Sequence, residues 1–187
     1  MPVRDIQSFR FKDDHNILLD TNVLYSTFGP SPIPRRSGAY SEAIKNMRIG
    51  KSKMYLDILV LSEFMNRYAR DLYNLKLEDY KDAGIPKEDW PKFKEFRDDP
   101  DFKPLAEEIR IAASDIINTV TECCNPAFNK AKANLFLHEY GKCRVDFNDQ
   151  VMADMCNDAK FFLATDDGDF KDYPDITILT ANLSYFK

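Results

Sequence analysis

The sequence contains little glycine, histidine and cysteine. Six of its 187 residues are glycine and 44% are hydrophobic, a composition typical of neither fibrous nor disordered proteins. The chain has two histidines and four cysteines, and no two cysteines form a C-x-x-C pair, which argues against a zinc site. The length fits one domain, with enough apolar surface to build a sizeable core.

Long apolar segments are also absent. No run approaches the roughly 18 apolar residues of a membrane-spanning helix. Residues 1–16, MPVRDIQSFRFKDDHN, are charged and lack the apolar segment of a signal peptide. In such a chain the four cysteines do not indicate a disulfide framework. We therefore expect a soluble cytoplasmic protein with reduced cysteines and no membrane association.

The net charge is −5, from 26 basic and 31 acidic residues. Taken alone, this charge argues against a general nucleic-acid-binding protein, because such proteins are usually basic. Two bound divalent cations would add four positive charges and change −5 to −1. The net charge therefore does not exclude a metal-dependent nuclease.

Short apolar runs alternate with helical patterns along the chain. Strands separated by helices imply crossover connections, and these favour an α/β fold with a mostly parallel sheet covered on both faces. The apolar runs predict strands at 16–19, 53–60, 161–165 and 176–179, and the helical periodicity predicts helices at 21–28, 39–50, 61–75, 105–120 and 147–159.

Residues 81–104 differ from the rest of the chain. They are rich in proline and charge, with aromatic residues interleaved. This composition predicts a helical insertion or a lid. Trp90 and Phe93 could stack on nucleobases, but packing in the core or against a partner is the favoured interpretation.

Acidic residues follow several of the predicted strands. In an open parallel sheet, functional groups gather beyond the carboxyl ends of the strands. We therefore expect the carboxylates at these positions to converge. They are Asp20 after the first strand, Glu63 after the second, Asp149 in the helix before the third, and Asp166, Asp167 and Asp169 after the third.

Each acid also has a purely structural explanation. Asp20 could belong to a turn, Glu63 could pair with Arg67 on the same helix face, and Asp149 suits a helix N-terminus. Several carboxylates at close range, however, require counter-charge to remain ionised. Mg²⁺ or Mn²⁺ would supply that charge through oxygen ligands, and such a cluster suits phosphodiester chemistry.

Four segments resemble, in this order, the acidic motifs of the PIN domain family. They are LLDTNVL at 18–24, LSEF at 61–64, FNDQVMA at 147–153 and LATDDGDF at 163–170. The patterns D-T-N-x-L and T-x-D-x-D-F are the more specific ones. The resemblance covers residues 14–183 and is poor in the middle third. The family includes VapC-type toxins of toxin–antitoxin pairs and eukaryotic nucleases of RNA decay and processing.

The resemblance implies a single PIN-like domain over 1–187, a three-layer α/β/α sandwich. It implies a Mg²⁺- or Mn²⁺-dependent endoribonuclease in which a metal-activated water attacks phosphorus. It also implies an RNA substrate. It leaves open whether the protein has a cognate antitoxin and whether it forms a homodimer. Carried over by motif, the catalytic and metal-binding acids are Asp20, Glu63, Asp149 and Asp167, the auxiliary metal-binding acid is Asp169, and the supporting residues are Thr21 and Asn22, which brace the first acid, and Thr165.

Two features depart from the family pattern. Asp166 occupies a position that is often basic or neutral in relatives; we assign Asp167 to the metal, Asp169 to support, and Asp166 to an outward-facing turn. The chain is also longer than most toxin relatives, with its extra length near 71–118, so the role as a toxin remains open. Candidate RNA-binding residues are Arg35, Arg36, Arg67 and Arg70, for which ordinary solvated charge is the alternative.

Two other functions compete with the nuclease. A haloacid dehalogenase-like phosphatase also has an apolar strand that ends in an acid. Its signature is D-x-D, however, and in this sequence Asn22 stands where the second Asp of that signature would be. A phosphatase would also leave Glu63 without a role. A catalytically inactive PIN-like module that binds RNA or protein is the second alternative. The presence of acids at all four motif positions favours an active enzyme.

Overall fold

The computed structural model describes residues 2–30, 34–141 and 146–186, without the side chains of 34–37. In these residues six strands form one parallel sheet in the order β1-β6-β5-β2-β3-β4. The strands are β1 (Val3–Asp5), β2 (Asn16–Leu19), β3 (Lys53–Asp57), β4 (Glu122–Cys124), β5 (Phe162–Ala164) and β6 (Thr177–Thr180).

Helices connect the strands and form two groups. Helices α1, α2, α3 and α5 contact one another, whereas α6 and α7 form a separate pair. Since parallel crossovers are right-handed, the two groups cover opposite faces, and the α/β/α layering is confirmed. The helices are α1 (Thr21–Phe28), α2 (Pro34–Ile49), α3 (Ile58–Asp82), α4 (Phe93–Asp98), α5 (Phe102–Thr119), α6 (Lys130–Tyr140) and α7 (Phe147–Ala159).

Strand β2 lies at the centre of the molecule because its side chains are apolar on both faces of the sheet. Ile17, Leu18 and Leu19 are fully buried, as expected for a parallel strand covered by helices on both sides. Leu18 pairs with Tyr55 of β3 and with Leu163 of β5. This register aligns the carboxyl ends of β2 and β5.

Two element boundaries differ from the sequence prediction. Helix α2 begins at Pro34, five residues before the predicted start at residue 39, because proline suits a first turn, where its missing N–H is not needed. The predicted strand 53–60 ends at Asp57. The Asp57 carboxylate accepts a hydrogen bond from the Leu59 N–H at 2.6 Å, and this N-cap begins helix α3 three residues early.

Residues 81–104 contain a 3₁₀ turn at Lys87–Asp89, helix α4 and the start of α5. The Trp90 indole donates to the Ile85 carbonyl at 2.9 Å, and the Phe93 ring lies 5.4 Å from the Tyr73 ring. Both aromatics therefore contact their own chain, and the role of this segment as a lid remains a prediction. None of the helices within the described residues has the length and apolar character needed to cross a membrane.

Candidate metal centre

Asp20 is the first residue after β2, and it is almost completely buried at 6% exposure. Its backbone N–H donates to the Ala164 carbonyl at 3.0 Å, which extends the pairing between β2 and β5 by one residue. The Thr165 hydroxyl, just beyond β5, donates to Asp20 Oδ2 at 2.6 Å. The two central strands therefore hold this carboxylate in place.

The Asn22 side chain connects two of the acids. Its Nδ2 lies 3.3 Å from Asp20 Oδ2 and 3.3 Å from Asp167 Oδ2, so the two carboxylate oxygens are no further apart than twice that distance. Arg67 Nη1 donates to Asn22 Oδ1 at 3.0 Å. Because the amide oxygen is occupied by the guanidinium, the amide N–H groups are directed toward the acids.

Glu63 lies on the second turn of α3, on an exposed part of the surface next to Asp20. Thr21 Oγ1 donates to Glu63 Oε2 at 3.2 Å. Thr21 thus fixes the second acid, whereas its motif position predicted that it would brace Asp20. As the first residue of α1, Thr21 directs its hydroxyl toward α3, where the Val60 carbonyl lies 3.5 Å away.

The loop after β5 is shaped by hydrogen bonds between its own residues. The Asp167 N–H donates to Thr165 Oγ1 at 2.9 Å, and the Asp169 N–H donates to Asp167 Oδ1 at 3.0 Å. These short side-chain-to-backbone bonds turn the chain so that Asp167 Oδ2 is directed toward Asn22. Asp169 is exposed at the rim of the cluster.

Asp149 approaches the cluster from the first turn of α7. The raised pKa of its carboxyl, about 7, has burial as its largest cause, and repulsion from Asp146, Asp167, Asp20 and Asp169 adds to it. Within the described residues the Asp149 carboxylate has no hydrogen bond or ion pair. Its location at a helix N-terminus is the one feature that favours its charged form.

The cluster carries unbalanced negative charge. Burial raises the pKa of Asp20 to about 6, and repulsion from Glu63 and Asp167 acts in the same direction, although the bonds from Thr165 and Asn22 oppose it. In the described part of the chain, the carboxylates of Asp20, Glu63, Asp149 and Asp167 form no ion pair. Asp20 and Asp149 thus both have pKa values raised toward neutrality in one cluster, and a bound cation would stabilise their charged forms.

The donor set fits Mg²⁺ or Mn²⁺, because every candidate ligand is a carboxylate oxygen. The spacing is open: among the described residues, no group of three or more His, Cys, Asp or Glu side chains is arranged closely enough to hold an ion. Of the candidate ligands within the described residues, only Asp20 and Asp167 share a hydrogen-bond donor, the Asn22 amide. The chemistry therefore fits a hard divalent cation, while side-chain rotations would be needed to enclose it.

Asp166 does not face outward as its turn position predicted. Its Oδ1 accepts the Tyr40 hydroxyl at 2.7 Å, and its carbonyl accepts Asn182 Nδ2 at 2.7 Å. The Tyr40 hydroxyl also accepts the Ala181 N–H at 3.1 Å. Helix α2 and the segment after β6 therefore fix the back of the acidic loop, because Tyr40 is completely buried between them.

The candidate RNA-binding arginines occupy different surroundings. The Arg67 guanidinium lies 4.1 Å from the centre of the Tyr25 ring and contacts Asn22, so it borders the acids. Arg70 lies 4.8 Å from the Phe93 ring, away from Asn22. The side chains of Arg35 and Arg36 lie outside the described residues.

Sequence patterns did not indicate three residues that support the site. Tyr40 and Asn182 hold Asp166, and the Tyr185 hydroxyl donates to the Asp167 carbonyl. Each acts across a large sequence separation, and neither tyrosine nor asparagine marks a motif by itself. Only the pairing of β5 with β6 brings Asn182 and Tyr185 beside the loop that carries these two acids.

Comparisons with known proteins show only a distant likeness to solved structures. No family model and no curated protein sequence matches the chain. Among solved structures, it is similar to a chain in the crystal structure of VapBC2 from Rickettsia felis bound to a DNA fragment from their promoter. The sequences are 14% identical, the match covers 88% of this chain and 98% of that chain, and the TM-score is 0.47. The functional argument therefore depends on the geometry of the acids.

Proposed function

We propose that this protein is a metal-dependent endoribonuclease that hydrolyses RNA phosphodiester bonds at the acidic cluster. The observation that carries the proposal is the Asn22 amide shared by Asp20 and Asp167, with Glu63 near enough to repel Asp20 and Asp149 near enough to repel both carboxylates. Buried acids with raised pKa values in one cluster are more typical of functional sites than of the fold's framework.

Asp20 and Asp167 would be the main ligands of the metal, and Glu63 and Asp149 would complete the oxygen set. A bound Mg²⁺ or Mn²⁺ would supply an activated water and neutralise charge that develops on the phosphate oxygens. The protein's contribution is orientation: Thr165 holds Asp20, Thr21 holds Glu63, and Asn22 sets the relative position of Asp20 and Asp167.

Asp169 and Arg67 would act at the rim of the site. Asp169 is exposed and its N–H contacts Asp167, so it suits an auxiliary ligand that retains water. Arg67 is exposed beside Asn22, where its remaining N–H groups could contact a phosphate of the RNA. Its stacking on Tyr25 limits the conformations of the guanidinium before RNA binds.

The phosphatase alternative is disfavoured by the contacts of Asn22. A D-x-D phosphatase uses its second acid as a proton donor and acceptor, whereas the Asn22 amide cannot take that role at neutral pH. Its Nδ2 is instead within hydrogen-bonding distance of both acids. A PIN-like module without catalysis would have no need for buried, mutually repelling carboxylates, which cost stability.

The nuclease activity can be tested with a fluorogenic single-stranded RNA. Protein freed of metal with EDTA should be inactive and should recover cleavage with added Mg²⁺ or Mn²⁺. Asp20→Asn and Asp167→Asn should each lower the rate by about 100-fold or more, because removing an interaction made in the transition state lowers kcat. Asp82→Asn, at an exposed position at the end of α3, is the matched control and should retain full activity.

Two results would contradict the proposal. Cleavage that is equal in wild type, Asp20→Asn and Asp167→Asn would come from a contaminant and remove the basis of the metal site. Metal-dependent hydrolysis of p-nitrophenyl phosphate without RNA cleavage would identify a phosphatase instead.

The role as a toxin with a cognate antitoxin rests on the motif resemblance alone and has a separate test. Induced expression in bacteria should arrest growth with the wild type and not with Asp20→Asn, at equal protein levels. Growth that is equal in both strains would contradict the toxin role and leave the nuclease assay unaffected.

A further inference from the structure

A basic pocket lies at the edge of the sheet opposite to the acids. It encloses about 510 Å³ and is bordered by the amino-terminal ends of the strands, where β5 begins at Phe162 and β6 begins at Thr177. Its walls include four basic side chains and two phenylalanines: Arg4, Arg10, Lys12, His15, Phe9 and Phe162.

The charge of this pocket is unbalanced, opposite in sign to that of the acidic cluster. Among the described residues that line it, none is acidic. Arg4, Arg10 and Lys12 are exposed, and within the described part of the chain none of them forms an ion pair. In a protein with a net charge of −5, three unpaired cations around one concavity favour an anionic ligand.

The loop that carries two of these cations is fixed to the core. Phe11, between Arg10 and Lys12, is buried at 8% exposure. The Lys12 carbonyl accepts the Ser52 hydroxyl at 2.7 Å and the His15 N–H at 3.1 Å. The backbone at Arg10 and Lys12 is thus held beside the pocket, and only the side chains remain free to move.

Aromatic rings form the apolar wall. The Phe162 ring centre lies 5.5 Å from that of Phe9 and 5.0 Å from that of His15, and Phe9 and His15 are 5.1 Å apart. Phe9 and Phe162 are only partly buried, so ring surface remains available in the pocket. Partly exposed aromatic rings beside basic groups offer a stacking surface for a planar base.

We propose that this pocket binds a nucleotide, with the base against Phe9 and Phe162 and the phosphate held by Arg4, Arg10 and Lys12. The volume falls within the range of about 300–1,000 Å³ that is usual for small-molecule sites. An acidic peptide or inorganic phosphate would bind the basic side chains but would make no contact with the aromatic wall. The nucleotide has two sources, a free mononucleotide or one unit of a single-stranded RNA.

The pocket is separate from the acidic cluster. The acids follow the carboxyl ends of β2 and β5, whereas the pocket lies at their amino-terminal ends. Even a four-residue strand such as β2 spans about 13 Å. The inference therefore does not depend on the proposed nuclease activity.

The test is calorimetric titration of the full chain with nucleotide in the presence of EDTA. EDTA removes divalent metal, so no metal ion at the acidic cluster can bind the phosphate of the ligand. AMP should bind at least 10-fold more tightly than adenosine, ribose 5-phosphate or inorganic phosphate, because it alone uses both wall and cations. Tighter binding of a short adenylate oligonucleotide than of AMP would assign the site to RNA. Equal affinity would assign it to a free nucleotide.

Matched variants locate the binding. Arg10→Ala/Lys12→Ala should weaken AMP binding by about 10-fold or more, whereas Lys94→Ala/Lys103→Ala removes the same charge from exposed positions elsewhere and should not change it. Phe9→Leu should weaken AMP without affecting ribose 5-phosphate, with its thermal unfolding measured in parallel. Asp167→Asn should bind AMP as the wild type does, which separates this site from the nuclease centre.

Three outcomes with AMP would overturn the proposal. They are no heat of binding with millimolar AMP, equal binding of AMP and inorganic phosphate, and AMP binding that is unchanged in Arg10→Ala/Lys12→Ala. A hexa-aspartate peptide that binds as tightly as AMP would also overturn it, because the pocket would then recognise charge alone.

Discussion

At the scale of single residues, Asp20 contributes to how the stability of the metal-free protein depends on pH. Burial raises its pKa from 3.8 to about 6 in the folded state. A raised pKa means that the folded state binds the proton more tightly than the unfolded chain, so this stabilisation is fully present below pH 3.8 and is lost as the pH rises from there through about 6. Above that pH the buried charge lowers the free energy of unfolding by about 3 kcal/mol.

Asp20→Asn should therefore stabilise the metal-free protein most at pH 8 and leave it nearly unchanged at pH 3, below the ordinary pKa of 3.8, where Asp20 is protonated in both the folded and the unfolded state. Asparagine keeps an oxygen to accept the Thr165 hydroxyl and carries no charge at either pH. The measurement is urea unfolding in EDTA at both pH values, with a gain of up to about 3 kcal/mol at pH 8. Equal stability of wild type and variant at pH 8 would mean that Asp20 is not charged and buried there.

Arg67 and Arg70 form a natural pair for comparison, since they lie on neighbouring turns of α3. Arg67 contacts the amide that connects Asp20 to Asp167, whereas Arg70 packs over Phe93. Arg67→Met should lower RNA cleavage by about 10-fold through the misplaced Asn22 amide and a lost phosphate contact. Arg70→Met should change cleavage by less than about 3-fold. Similar losses in both variants would assign both arginines to general attraction of RNA.

At the scale of elements, Tyr40 connects α2 to the loop after β5 and to the end of β6. Its buried hydroxyl donates to Asp166 and accepts the Ala181 N–H. Tyr40→Phe leaves both groups without this partner and should cost about 1–3 kcal/mol of stability, measured by urea unfolding. The exposed Tyr140 provides the control, because Tyr140→Phe removes a hydroxyl from water. Equal stability of the two variants would show that the Tyr40 hydroxyl adds nothing to the fold.

The predictability of each element followed the length of its apolar pattern. Strand β2 and helix α7 were predicted closely because each has a clear run or stripe of apolar residues. Strands β1 and β4 were not predicted, since each has three residues and pairs along only one side in the sheet. Residues 58–60 were predicted as strand, but the carboxylate of Asp57, the last residue of β3, caps α3 and begins the helix there. Local patterns carry no signal for a cap that lies inside an apolar run.

The site was predictable only in part for a related reason. The motif positions indicated that Asp20 and Asp167 lie at the same edge of the sheet, because Asp20 follows β2 directly and Asp167 lies three residues after the end of β5. The contact of Thr21 with Glu63 and that of Tyr40 with Asp166 depend on how helices pack over the sheet. Those contacts join residues 42 and 126 positions apart and leave no local pattern in the sequence.

At the scale of the whole molecule, the two ends of the sheet carry opposite charge. Carboxylates gather beyond the carboxyl ends of the strands, and unpaired cations surround the pocket at the amino-terminal ends. The net charge of −5 is therefore distributed unevenly, with negative charge at one edge of the sheet and positive charge at the other. Such a distribution would orient a polyanion with its phosphates toward the basic edge and away from the acids unless cations are bound there.

Metal binding and stability should therefore be coupled through pH. A divalent ion needs ionised ligands, and the carboxyls of Asp20 and Asp149 hold protons up to pH values of about 6 and about 7. At pH 8, Mg²⁺ at 100 times its dissociation constant should add about 2.7 kcal/mol, an increase of roughly 5–10 °C in Tm for a chain of this size. At pH 5.5 the same Mg²⁺ concentration should raise the Tm far less, because protons compete for the ligands.

Differential scanning calorimetry of wild type and Asp167→Asn with and without Mg²⁺ checks this coupling. Asp82→Asn, which changes one exposed acid far from the cluster, should respond to Mg²⁺ as the wild type does. A Tm increase of the same size in Asp167→Asn, or one that is independent of pH, would mean that Mg²⁺ acts by screening the acidic surface. Screening depends on ionic strength, so an equal ionic strength of NaCl would then reproduce it. A specific site would not respond to NaCl in this way, because Na⁺ lacks the charge density to replace two protons among buried carboxylates.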